Sequence, residues 1–199
     1  MILKENLKKL IQLTIQLGAS DARIIESSDI IVENSLANLC NGDPQCENYG
    51  LSPSCPPHVP GPSGFKEWQK KSSCSIVAKI DIPAYVMFSD ERLEVFGLLH
   101  EIVAGVEQKA VEMGYNNSKA FAGGSCKNIF CNDFITCELL SKHKKCRNPL
   151  YARPSMSGFG INVVKLMQSA GWSAEKTNQK KASDTESMTW VAGLIMLAV

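Results

Sequence analysis

The chain has 199 residues, 44% hydrophobic and 21% charged, which is globular composition and excludes disordered and fibrous classes. Lys plus Arg number 21 against 20 Asp plus Glu; the formal net charge of +1 leaves no global basic field for nucleic acid or an anionic membrane. The longest apolar stretch, Trp190 to Val199, is ten residues, short of the ~20 that cross a bilayer, and the charged first turns carry no leader-like apolar run. The expectation is a cytoplasmic protein with no nucleic-acid and no membrane partner.

Leu3, Leu7, Leu10, Ile11 and Leu17 recur at helical spacing, with Gly18 as a stop, which predicts an amphipathic helix over 3–17. Arg23 to Glu26 and Ile30 to Glu33 are β-branched-rich and read as one interrupted strand or a hairpin. From Asn41 to Gly64 the chain holds six Pro and four Gly; these forbid regular structure and call for another source of order, such as a metal. Phe65 to Lys71 reads as a short helix. Ser73 to Ile82 reads as a strand with Cys74, Ile76, Ala78, Ile80 and Ile82 on one face. Asp90 is placed to cap a long helix over Glu91 to Met113, ended by Gly114. Lys119 to Ala122 predicts a short strand, Gly160 to Ala170 a helix, Ser173 to Glu186 a polar loop, and Thr189 to Val199 a buried last strand. The sum is an α/β fold, with α+β as its near variant. It has a single sheet of about four strands with flanking helices, in one domain over 1–199 with cysteine-rich insertions at about 40–64 and 123–157.

Eight cysteines in a chain this long do not suggest a disulfide scaffold. They fall in two groups, Cys40, Cys46, Cys55 and Cys74, then Cys126, Cys131, Cys137 and Cys146, and such grouping in a reducing compartment points to thiolate ligands for a metal. Cys74, on the apolar face of a strand, reads as core. The first group then has three cysteines and needs a fourth ligand from His58, a distant side chain, water or substrate. His100 reads as structural and His143 as exposed. The intervals x5 and x8 of Cys40, Cys46 and Cys55 recur at Cys131, Cys137 and Cys146, but the flanks do not align.

Structural zinc normally uses cysteine pairs two to four residues apart, and only Cys126-x4-Cys131 fits. An iron–sulfur cluster is wider, so one long loop can wrap it at irregular intervals, although the familiar ferredoxin spacings are absent. Proline follows the last cysteine of each group, in Cys55-Pro56-Pro57 and Cys146-Arg147-Asn148-Pro149, and Gly123-Gly124 lets backbone N–H groups approach sulfur. With seven or eight thiolates the +1 charge falls to about −6 or −7, which metal cations must offset. Lys127, Lys142, Lys144, Lys145, Arg147 and Arg153 would help, or would form a docking face for an acidic redox protein partner.

The stretches Cys40-x5-Cys46-x2-Tyr49-Gly50-x4-Cys55-Pro56-Pro57, Gly123-Gly124-Ser125-Cys126, Cys146-Arg147-Asn148-Pro149-x3-Arg153-Pro154-Ser155-Met156 and Gly160-Ile161-Asn162-Val163 together resemble a known family. It is the prokaryotic predicted metal-binding family called domain of unknown function 2284, and the resemblance covers nearly the whole chain. It implies metal binding, of the iron–sulfur kind, with ligand roles for Cys40, Cys46 and Cys55 and for Cys126, Cys131, Cys137 and Cys146, and none for Cys74. The family's middle cysteines are more tightly spaced than Cys131 and Cys137 here.

No phosphate-binding Gly-rich loop, Gly-x-Ser-x-Gly elbow or His-Glu-x-x-His occurs. Three readings stay open. One is an iron–sulfur protein with one or two 4Fe–4S clusters in a one-electron transfer or redox accessory role. Another is a zinc-stabilised interaction module, and the third is an enzyme with an open iron at the first cysteine group.

Overall fold

The computed structural model describes residues 2–141, 144–174 and 187–199. Four strands form one open antiparallel sheet: β1 (Asp21–Glu26), β2 (Cys74–Pro83), β3 (Lys119–Phe121) and β4 (Met188–Leu197), in the order β1-β2-β4-β3. Seven α-helices accompany it among the described residues: α1 (Ile2–Gln16), α2 (Asn34–Asn38), α3 (Gly61–Gln69), α4 (Arg92–Glu112), α5 (Cys126–Phe130), α6 (Glu138–Ser141) and α7 (Val163–Ser169). This is the expected α/β layering on four strands. No helix among the described residues is long and apolar enough to cross a membrane.

The last strand lies inside the sheet. β4 pairs with β2 from Met188↔Pro83 to Leu197↔Cys74, and its other edge takes β3. A strand in that position must be apolar on both faces, and Val191 to Leu197 is buried throughout. Gly193 sits under α4, where a Cβ would collide with Val103, so the helix seats closely on the strand only over glycine.

One face of the sheet is covered by α1 and α4. Ile76, Ala78, Ile80 and Ile82 meet Leu10, Leu99, Ile102, Val103 and Val106 there, which is the alternation the sequence predicts, and Cys74 packs against the edge of this core. The opposite face is covered by α3, the 3-10 turn Met156–Phe159 and α7. Its centre is an aromatic trio, Phe65 of α3, Phe121 of β3 and Phe159, all fully buried. Phe121 meets Phe65 edge-on at 5.3 Å and Phe159 at 5.1 Å.

Four local expectations change. The helix expected over Phe65 to Lys71 starts at Gly61, inside the stretch expected to hold no regular structure, because Pro62 falls in the first turn, where its missing N–H costs no bond. Ile30 to Glu33 is not a strand. The chain turns through the 3-10 segment Ser27–Asp29, where the buried Ser27 hydroxyl bonds Ser72 and Ser75 at 2.8 Å, and Gln69 takes the Ser27 and Ile30 carbonyls that a ladder would have used. Only Val32 pairs onward, with Ile161. The predicted 160–170 helix starts at Val163, because Gly160 is left-handed (φ +68°) against the Glu33 carbonyl and Asn162 supplies the cap, accepting from Lys165 N–H at 3.0 Å. Asp90 does not cap α4 with its carboxylate; its carbonyl accepts from Leu93 N–H at 3.0 Å as the chain winds in from the 3-10 turn Ala84–Phe88.

Phe121→Ala empties the centre of the aromatic trio. We expect it to lower unfolding stability by about 3–5 kcal/mol in a urea titration, the range for truncating a buried Phe.

Candidate metal centre

The first cysteine segment is a series of hydrogen-bonded turns. Cys40 lies in the 3-10 turn Leu39–Asn41 after α2, and Cys46 N–H returns to the Cys40 carbonyl at 3.3 Å. Tyr49 N–H bonds the Cys46 carbonyl (2.9 Å), Gly50 N–H the Pro56 carbonyl (2.8 Å) and Cys55 N–H the Ser52 carbonyl (3.2 Å). The Pro-rich loop therefore has its own order, in addition to any that a ligand would bring. Pro56 and Val59 also pack where Gly158 lacks a side chain. Cys40, Cys46 and Cys55 share the wall of a cavity of about 140 Å³, together with Tyr49, Ser125 and Ser157.

His58 does not join them. It is exposed, and its Nε2 lies 3.2 Å from the Gly50 carbonyl oxygen, which leaves the first group with three thiols. The Cys40 thiol is pushed up by burial first and by its neighbours Cys46 and Cys55 second.

The second segment leaves β3 through Gly123-Gly124. A Cβ at Gly123 would run into Phe96, so the glycine pair serves close packing against α4. Cys126 opens α5 and is buried, Cys131 follows that helix, Cys137 precedes α6, and Cys146 lies beyond it. All four line one cavity of about 310 Å³. Among the described residues no three His, Cys, Asp or Glu side chains converge closely enough to hold a single ion.

Hydrogen bonds to sulfur come from a residue that the sequence reading gave no role. Asn148 donates its backbone N–H to Cys146 Sγ and its side-chain amide to Cys131 Sγ, each at 3.4 Å. Its place between Cys146 and Pro149 was the available signal. The Cys126 thiol donates to Ser54 Oγ at 3.2 Å, and burial pushes it up against the opposing pull of the Ser54 hydroxyl. The Ser52 hydroxyl, fully buried on this cavity, has no hydrogen-bond partner, and the buried Ser125 hydroxyl is equally unpaired on the first. Buried hydroxyls without partners on the walls of both cavities, beside clustered thiols, suit a ligand rich in acceptor sulfur.

The basic residues are partly committed. Lys127 Nζ bonds the Cys131 carbonyl at 2.9 Å, and Arg147 pairs with Glu138 at 3.0 Å while lying 3.8 Å over the Phe134 ring. Arg153 pairs with Glu107 at 2.5 Å. Lys144 and Lys145 are exposed, whereas Lys142 and His143, and most of the polar loop (175–186), lie outside the described residues. Cys74 stays with the core of the other sheet face.

Residues 23–196 match the family of predicted metal-binding proteins called domain of unknown function 2284, a span that contains all eight cysteines. The chain belongs to this family. No curated protein and no solved structure matches it. The resemblance carried by the cysteine motifs thus holds over nearly the full length, and a metal is what the family is expected to bind.

His100 holds the two ends of the second segment together. Its Nε2 bonds the Gly123 carbonyl at 3.1 Å and its Nδ1 accepts Arg153 N–H at 3.1 Å, which requires the neutral, Nε2-protonated ring. Burial lowers its pKa to about 4, against an ordinary 6.5. The unfolded chain therefore takes up the proton first: this stabilisation is complete above pH 6.5 and is lost as pH falls toward 4. We expect the stability of the native chain relative to His100→Gln to fall by about 2 kcal/mol between pH 7 and pH 5 in urea titrations.

Asn148→Ala removes the donor to Cys131 and leaves the backbone bond to Cys146. We expect metal retention against a chelator to weaken roughly 10- to 100-fold, with the secondary structure seen by circular dichroism unchanged.

Proposed function

We propose that the chain is an iron–sulfur protein, with a 4Fe–4S cluster held by Cys126, Cys131, Cys137 and Cys146, and that its role is one-electron transfer or redox support. The observation that carries this reading is the set of four cysteines lining one cavity of about 310 Å³, room for a group larger than one ion. A single zinc ion with bonds of about 2.3 Å draws four sulfurs to within about 4 Å of one another. A cluster takes one thiolate per iron and keeps them apart. When bound, it supplies one-electron redox chemistry.

The chain's own residues set how such a centre behaves. Asn148 places two N–H donors on ligand sulfurs, and the Ser52 hydroxyl adds a third, uncommitted donor at the cavity wall. Donors to sulfur favour the more negative, reduced state. Lys127 and Arg147 hold the loop closed through a carbonyl and Glu138. Exposed Lys144 and Lys145 and the almost fully exposed Ile135 (98%) offer a mixed basic and apolar surface to a redox protein partner.

A second reading concerns Cys40, Cys46 and Cys55. With three thiols and His58 held elsewhere, a metal there keeps a position free. Cys40, Cys46 and Ser157 also wall a neighbouring groove of about 630 Å³, through which a small molecule would reach it. That arrangement fits an enzyme with an open-site iron–sulfur cluster.

Iron, zinc and acid-labile sulfide per chain, measured with the visible spectrum after purification without oxygen, test the proposal. Near-equal iron and sulfide with a broad band near 400 nm are the expected result. Cys137→Ser should lose the second centre's share, and Cys74→Ala should lose nothing. Stoichiometric zinc without sulfide would make the chain a zinc-stabilised module and end the redox reading.

A further inference from the structure

The two cysteine cavities share a wall. Ser54, Cys126 and Pro154 face the four-thiol cavity, while their immediate neighbours Cys55, Ser125 and Ser155 face the three-thiol cavity. Ser125 (φ −110°, ψ 127°) and Ser155 (φ −76°, ψ 129°) are extended, and in extended chain consecutive side chains point to opposite sides. The Ser54–Cys55 pair, which lies in a turn, divides in the same way, so three short segments each give one residue to each cavity.

The segments are bonded to one another. Ser155 N–H meets the Ser54 carbonyl at 3.0 Å, and the Cys126 thiol meets Ser54 Oγ at 3.2 Å. Ala122 N–H bonds the Pro154 carbonyl at 3.0 Å, which ties the third segment to the end of β3. The wall is closed in: Ser54, Cys55, Ser125, Cys126 and Ser155 are all buried. Charge placed on one side of a thin, buried wall is poorly screened on the other.

We propose that the Ser54–Cys55, Ser125–Cys126 and Pro154–Ser155 segments form a partition one residue thick that joins the two cysteine cavities into one coupled two-centre unit. This rests on the iron–sulfur reading above and goes beyond it, because that reading requires only the four-thiol site. The partition carries a ligand of each centre, Cys55 on one side and Cys126 on the other, and Ser54, the chain neighbour of Cys55, meets the Cys126 thiol through its hydroxyl. An electron crossing it oxidises one centre by one unit and reduces the other by one, with no proton or further reactant. The three-thiol side, open to the groove of about 630 Å³, is the end where an exogenous small ligand meets that electron.

The test is a redox titration of the anaerobically purified protein followed by electron paramagnetic resonance. At about one electron per chain a simple spin-half signal is expected. At two electrons, the spectrum should broaden and split through spin–spin interaction and relax faster. Cys46→Ser and Cys137→Ser, each keeping one centre, should give simple signals whose sum does not reproduce the reduced native spectrum. A fully reduced spectrum that is only a doubled copy of the half-reduced one, or the sum of the single-centre signals, overturns the coupling. So does a protein that binds a single cluster, which leaves the iron–sulfur reading standing. Zinc without sulfide removes both. The native titration decides the question even where a variant fails to fold.

Discussion

Everything at the metal-facing end of the molecule depends on the packing of Phe65, Phe121 and Phe159. Phe65 stands on the helix that follows the first cysteine loop, Phe121 is the last residue of β3 before the second, and Phe159 lies in the turn that receives the chain after Cys146. Each fully buried ring therefore fixes one end of a segment that has little apolar surface of its own. Trp68 closes the group at 5.9 Å from Phe121 and 5.5 Å from Phe159. Edge-on and tilted contacts of this kind add about 0.5–1.5 kcal/mol per pair beyond burial, and their directionality sets the relative placement of the loops.

The thiols on these loops are held in a state that a metal must change. Burial pushes Cys40 and Cys126 up, so both stay protonated without metal. Metal uptake must then release protons, and the apparent affinity rises with pH. The neighbouring cations cannot take over the metal's part. Lys127 and Arg147 have partners in the loop and shape the cavity wall, and Arg153 is tied to Glu107 of α4.

Much of this was legible in the sequence because the sheet core follows simple periods. The alternation in β2, the long apolar helix α4 and the ten-residue last strand each state their environment directly. The cysteines also named their own grouping. What could not be read depended on contacts distant in sequence. Ile30 to Glu33 has strand composition, yet Gln69 takes the carbonyls before it, and Gly160 is left-handed because Glu33 approaches it from 127 residues away. Asn148 carried no role of its own in the sequence, and its two bonds to sulfur exist only once Cys131 and Cys146 share a cavity. His58 had suitable spacing for a ligand but a nearer acceptor in Gly50.

The two cysteine groups share more than their intervals. Tyr49 N–H on the Cys46 carbonyl (2.9 Å) and Leu140 N–H on the Cys137 carbonyl (3.1 Å) bend the chain three residues after the middle cysteine of each set, in a turn in the first and in the start of α6 in the second. The difference between the sites is Cys126, which comes from outside the x5 and x8 pattern at the start of α5. Its arrival completes four thiols on one side of the partition, while the residue before it, Ser125, offers only a hydroxyl to the other. A closed thiolate set favours electron exchange without ligand change, and an incomplete one leaves a metal position for chemistry. That asymmetry arises where an extended chain passes between two cavities, because its alternation gives a cysteine to one and a serine to the other.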